Sequence, residues 1–178
     1  MSRNESVILI KALPGTVTSA LDEVLASQGL VRAATRAIRA DFTPLLNEPG
    51  EPLAFVLSEP QAEWLACWTS LALDAEWEVA ETLARGLQQP VLCAIFAADR
   101  GMFAYRYWED GDLRAEAVPL PGASALNEPG LLAELCHRGV PLALIDDLTN
   151  GWTREHIVLG YMHEVAHSAP NGADPITT

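Results

Sequence analysis

His163, Glu164 and His167 stand at a spacing that supports metal chemistry if the segment is helical. Residues four apart share a helix face, so two imidazoles can hold one Zn²⁺ while the intervening carboxylate polarises a bound water. Three other groups carry chemistry-bearing side chains. Phe103, Tyr105 and Tyr107 fall on one face of a strand, and Trp64 and Trp68 on a neighbouring one. Tyr and Trp are favoured at interfaces, so Tyr105, Tyr107, Trp64 and Trp68 are candidates for an aromatic floor under a ligand or partner, or for cross-strand core packing. Asp146-Asp147 follows the apolar run Val140–Ile145, a place where carboxylates can bind metal, act as acid or base, or cap a helix. Arg32, Arg36 and Arg39 gather three of the eleven cations into a strip that could meet a carboxylate or phosphate, or pair with acids nearby.

The segment His163-Glu164-Val165-Ala166-His167 matches HExxH and so resembles the zincin metallopeptidases. The resemblance implies a zinc-dependent hydrolase or peptidase in which His163 and His167 are the ligands and Glu164 the general base. A zincin also needs a third protein ligand, normally downstream, where Asp174 is the sole candidate. His156, seven residues before His163, would lie about 10 Å away along a helix axis. On a wheel of 100° per residue, Ile157, Val158, Tyr161, Met162 and Val165 form one arc. His156, Gly160, His163 and His167 form the opposite one. The expectation is a terminal helix that buries its apolar side and turns its histidines outward, without a third ligand.

Twenty-four acids against eleven bases give a formal charge of −13, which repels phosphate backbones and speaks against general nucleic-acid binding. At 49% hydrophobic and 20% charged, the 178 residues read as one globular domain that can bury a core. No run of 18 apolar residues suggests a membrane span, and Val7–Ile10 is too short for a signal segment. Cys67, Cys93 and Cys136 are widely spaced, and without a CxxC pair they read as free thiols in a cytoplasmic, bacterial-type protein.

The elements that must position these groups follow from periodicity. Residues 6–12 form an apolar strand that Pro14-Gly15 ends, and Thr16 or Thr18 caps a helix to Gln28, with Gly29 as its stop. Residues 31–42 fit a helix through the arginine spacing or a strand through period two. Residues 53–57 and 62–70 are strands, the latter setting Trp64, Ala66 and Trp68 against Leu65 and Cys67. Asp74 caps a helix over 75–87 with the stripe Val79, Ala80, Leu83, Leu87. Val91–Ala97 is apolar throughout, as in a strand covered on both faces. Residues 102–108 and 113–118 flank Asp110-Gly111, the clearest hairpin. A short helix spans 131–137, and 140–145 is an edge strand or buried loop. Thr153 caps a last helix from Arg154 to His167, so 131–167 forms a C-terminal helical extension and 169–178 a flexible tail.

Residues 6–58 and 62–118 share an order of strand, helix and further strands, which favours the strand reading of 31–40. That order resembles TATA-binding-protein-like folds and other βαβββ repeats. It implies an α+β fold: a curved, mostly antiparallel sheet with helices on one face, over residues 1–168. The DNA-binding role of those folds does not carry over, because the charge has the wrong sign.

The function expected is that of an acidic, non-enzymatic binding or regulatory protein that engages a basic protein partner, with no cofactor. The alternative is the zinc-dependent hydrolase built on His163, Glu164 and His167.

Overall fold

The computed structural model describes residues 4–47, 50–97, 102–118, 126–145 and 154–164. Eight strands form one antiparallel sheet: β1 (Asn4–Ile10), β2 (Leu30–Ile38), β3 (Leu53–Leu57), β4 (Leu65–Thr69), β5 (Val91–Ala97), β6 (Met102–Glu109), β7 (Asp112–Ala117) and β8 (His156–His163). They lie in the order β2-β8-β3-β4-β1-β5-β6-β7. With α1 (Pro14–Ala26), α2 (Thr43–Asn47), α3 (Leu73–Leu87) and α4 (Glu128–His137), the architecture is α+β.

Each central strand is buried on both sides, so its residues divide between two cores. Ile8 and Ile10, Phe55 and Leu57, Leu65 and Cys67, Leu159 and Tyr161 meet α1 and α3. The alternating set, Val7 and Leu9, Trp64, Ala66 and Trp68, Leu92 and Ala94, meets Phe42, α4 (through Leu131 and Leu135) and a 3₁₀ turn at Leu142–Leu144. The two long helices share one face, as expected, while α4 covers the other. The run at 140–145 is this 3₁₀ turn and not an edge strand; Pro141 precedes it and Leu144 is fully buried.

Residues 31–40 follow the strand reading: β2 pairs with β8 from Leu30↔His163 to Ile38↔His156, with a register shift between Arg32 and Ala34. The turn Asp110-Gly111 takes positive φ at both positions and joins β6 to β7, as type I′ geometry requires. Helix starts differ from expectation. Pro14 opens α1 after Leu13, and Ala72 precedes α3, so Thr16, Thr18 and Asp74 are not side-chain caps. Pro at the first helical position needs no N–H, which makes Pro14 the initiator rather than the breaker.

The last helix expected over 154–167 is overturned. His156–His163 is β8, inserted between β2 and β3. Its apolar run satisfies both periods, and pairing on both edges decides for strand. The insertion also makes the two halves unlike. After α1 the chain runs to the far edge as β2, whereas after α3 it runs to β5 beside β1 and continues as the meander β5-β6-β7.

Candidate functional site

The strand at 156–163 removes the helical premise of the histidine arrangement. His156 is fully buried, its ring 4.8 Å from that of Phe42 and 5.8 Å from that of Trp68. It does not belong to an outward stripe. His163 is exposed at the end of β8, where Nδ1 contacts the Glu51 carboxylate and its backbone N–H donates to Glu51 Oε2 at 3.0 Å. Those hydrogen bonds hold the Glu51 carboxyl below its ordinary range. Glu164 donates its backbone N–H to the Gly29 carbonyl at 3.1 Å. His167, Asp146, Asp147 and Thr153 lie outside the described residues, as does the tail at 169–178. Among the described residues no group of three His, Cys, Asp or Glu side chains is placed to hold a metal ion.

The aromatic candidates share one sheet face, but β1 and β5 separate the strands that carry them, so the two pairs are not on neighbouring strands, and all are packed under cover. Trp64 and Trp68 are buried, and Tyr105 is 6% exposed. Arg138, from the end of α4, sits over Tyr107 at 4.8 Å and Tyr105 at 5.1 Å and pairs with Glu134. Tyr105 Oη donates to Glu134 Oε2 at 3.2 Å. The bond from Arg138 holds the Glu134 carboxyl low, while burial followed by the Glu134 charge pushes the Tyr105 phenol up. These residues fasten α4 to β6. The arginine strip also turns to local pairing: Arg32 meets Asp22 at 3.2 Å and Arg39 meets Glu155 at 3.6 Å.

An open site lies on the other sheet face, beside α3. A groove of about 400 Å³ runs between α3 and the β5–β7 strands. Leu73, Trp77, Ile95, Ala104 and Val118 give it an apolar lining, and Asp74, Glu78 and Glu81 stand along its helical wall. Glu81 is paired with Arg85. Asp74 and Glu78 have no ion pair among the described residues. Arg106 enters from β6 with its guanidinium 4.4 Å over the Trp77 ring and its Nε donating to Glu116 Oε2 at 3.0 Å. Its charge is thus matched by Glu116, and the indole is fixed in place. The net unbalanced charge in the groove is that of Asp74 and Glu78.

Sequence reasoning passed over this site because the inward stripe of α3 drew attention to Val79, Ala80 and Leu83. The signal was present in the outward residues: 74, 78 and 81 fall within about 60° on the wheel.

Beneath the same helix, Glu76 is fully buried. Thr69 Oγ1 donates to its Oε1 at 3.1 Å, Ser6 adds a second hydrogen bond, and Oε2 has no partner. Burial raises its pKa to about 7. Cys67 and Cys93 face it from β4 and β5; burial, then the Glu76 charge, pushes both thiols up, which makes them inert as nucleophiles.

No protein-family model, curated protein or solved structure matches the chain.

Proposed function

We propose that this chain is an acidic, non-enzymatic binding or regulatory protein that engages a basic segment of another protein along α3. The observation that carries the reading is the groove itself: an apolar lining that gains from burial, walled by Asp74 and Glu78, two carboxylates without cationic partners among the described residues. Apolar contact supplies affinity at the centre of such a surface, and charge complementarity selects a basic partner and speeds encounter. The perturbed groups elsewhere support this assignment. Glu76, Glu134 and Tyr161 are held in structural contacts, Tyr161 through a 2.8 Å bond to Asp22. The proposed setting is cytoplasmic, which the three free thiols fit.

The test is capture of partners from a lysate of the source cells by wild-type and Asp74→Asn/Glu78→Gln protein at low and high salt. A basic protein should be retained by the wild type at low salt and released by salt. The double variant should lose it. A Glu59→Gln/Glu128→Gln control, with the same charge change at exposed positions elsewhere, should keep it. Capture that ignores the groove variants, or capture of acidic proteins, overturns the reading.

A further inference from the structure

Among the described residues β2 bonds to β8 alone, so one side of its backbone meets no strand. The ladder decides which groups face that side. Glu164 donates its N–H to the Gly29 carbonyl, which makes these two a hydrogen-bonded pair. Bonding direction alternates along an antiparallel strand, so Met162, Gly160 and Val158 also face β2, while Tyr161, Leu159 and Ile157 face β3. Opposite the latter three stand Arg32, Thr35 and Ala37, which therefore turn N–H and C=O outward, as does Leu30. Both faces of the strand are exposed from Val31 to Ala37, so an incoming strand meets no cover.

Charges and bulges usually keep strands away from an edge. Here the bulge leaves one register open to a second copy. Ala33 is the extra residue between Arg32 and Ala34. It puts Leu30, Arg32, Thr35 and Ala37 on the α1/α3 face and Val31, Ala34, Arg36 and Ile38 on the other. A copy related by a two-fold axis must match these faces. The antiparallel pairing that does so sets Arg32 against Thr35 of the copy, Leu30 against Ala37 and Val31 against Arg36. The first two pairings join groups that already point outward, and no arginine opposes another.

The two ends of the edge complement each other in charge. Asp22, Glu51 and Glu164 stand about the Leu30 end, with Arg32 as the partner of Asp22. Arg36 and Arg39 stand about the Ile38 end. Arg39 pairs with Glu155, Arg36 has no ion pair among the described residues, and Asp41 and Arg154 nearby offset each other in charge. Antiparallel pairing brings each acidic end to a basic one, whereas parallel pairing would join like ends. Val31 and Met162, ladder partners, are 43% and 39% exposed, and the stem of Arg36 from the copy would lie across them.

We infer that a second copy of this chain occupies the β2 edge, joining two sheets into one through an antiparallel β2–β2 ladder. The inference is independent of the basic-partner reading, because the groove beside α3 adjoins β5 and β6, toward the far edge of the sheet. One ladder is a small interface, so the dissociation constant should be on the order of 10 µM.

Sedimentation equilibrium of the full chain, over concentrations on either side of that value, should show monomer passing to dimer and no further. Thr35→Pro removes an outward N–H and leaves the β2–β8 ladder its bonds. It should weaken the dimer about thirtyfold, since the two-fold deletes the bond twice. A cross-link keeps the test open if that variant does not fold. In a Cys136→Ser background, which removes the exposed thiol, Val31→Cys/Arg36→Cys should form disulfide dimers on mild oxidation, as a close cross-strand pair. Val31→Cys/Thr35→Cys, on opposite faces, should not. The inference is overturned by a chain that stays monomeric at every concentration, by a folded Thr35→Pro that dimerises like wild type, or by equal cross-linking of the two cysteine pairs. Oligomers that keep growing with concentration overturn it as well, since they would mean head-to-tail pairing of β2 with β7.

Discussion

Glu76 takes hydrogen bonds from Thr69, on Oε1, and from Ser6, while Oε2 has no partner among the described residues, in a layer of Ile8, Val79 and Ala80. Desolvation opposes its ionised form, and its pKa rises from 4.5 to about 7. The sign follows from linkage. A carboxyl raised in the folded state contributes stability that is complete below pH 4.5 and is lost as pH rises through about 7. The loss is on the order of 3 kcal/mol across that window. Glu76→Gln removes the titration and keeps an acceptor for Thr69. Its unfolding free energy relative to wild type should therefore grow by roughly that amount between acid and mildly alkaline pH, in denaturant titrations at several pH values. A constant offset would show that Glu76 does not titrate in this range. Arg138 raises a different question, because its guanidinium both pairs with Glu134 and covers two tyrosine rings. Arg138→Lys keeps the charge and loses the plane. If ring contact dominates, the lysine variant should lose about 1–2 kcal/mol, most of what Arg138→Ala loses. If the ion pair dominates, Arg138→Lys should be near wild type.

At the scale of elements, the hairpin of β6 and β7 was legible because its information is local. Asp110 and Gly111 have φ of 53° and 79°, values that Asp-Gly tolerates and most pairs do not. Gly111→Ala should cost about 1–2 kcal/mol from the left-handed backbone alone. An added Cβ would also stand 2.6 Å from Gln88 Nε2, the far end of an exposed side chain that donates to the Arg85 carbonyl at 2.7 Å. Adding Gln88→Ala to Gly111→Ala should therefore return only a small part of the loss in thermal melts; full recovery would locate the cost in the clash. The two faces of β4 and β6 were equally readable, since alternation assigns Trp64, Ala66 and Trp68 to one core and Leu65 and Cys67 to the other. β8 was not. Ile157, Val158, Tyr161 and Met162 fill positions on both strand faces and also form an arc on a helix. What makes them a strand is hydrogen bonding to β2 and β3, about a hundred residues or more away in the chain, which no local period encodes. The groove was half legible for a related reason. The acids on α3 can be read from sequence, but the wall opposite them comes from Ile95, Ala104 and Val118, which only the folded sheet brings beside the helix.

For the whole molecule, a charge of −13 and two groove carboxylates both attract a basic partner, and they separate by range. At physiological ionic strength the Debye length is about 8 Å, so distant acids hardly steer an approaching basic segment, whereas Asp74 and Glu78 remain in contact with it after docking. At low salt the screening length grows to about 30 Å near 0.01 M, comparable with the sheet, and every surface acid contributes. The whole surface should then govern association, and the groove pair dissociation. Stopped-flow mixing with a lysine-rich peptide, followed by tryptophan emission, tests this division. In dilute buffer, Asp74→Asn/Glu78→Gln and Glu59→Gln/Glu128→Gln should slow association alike, because each removes two charges. Near physiological salt the control pair should associate like wild type, while the groove pair should dissociate about fivefold faster. Dissociation that is equally fast in both variants at that salt would mean the peptide is held by the net field of the molecule and not by the wall of α3.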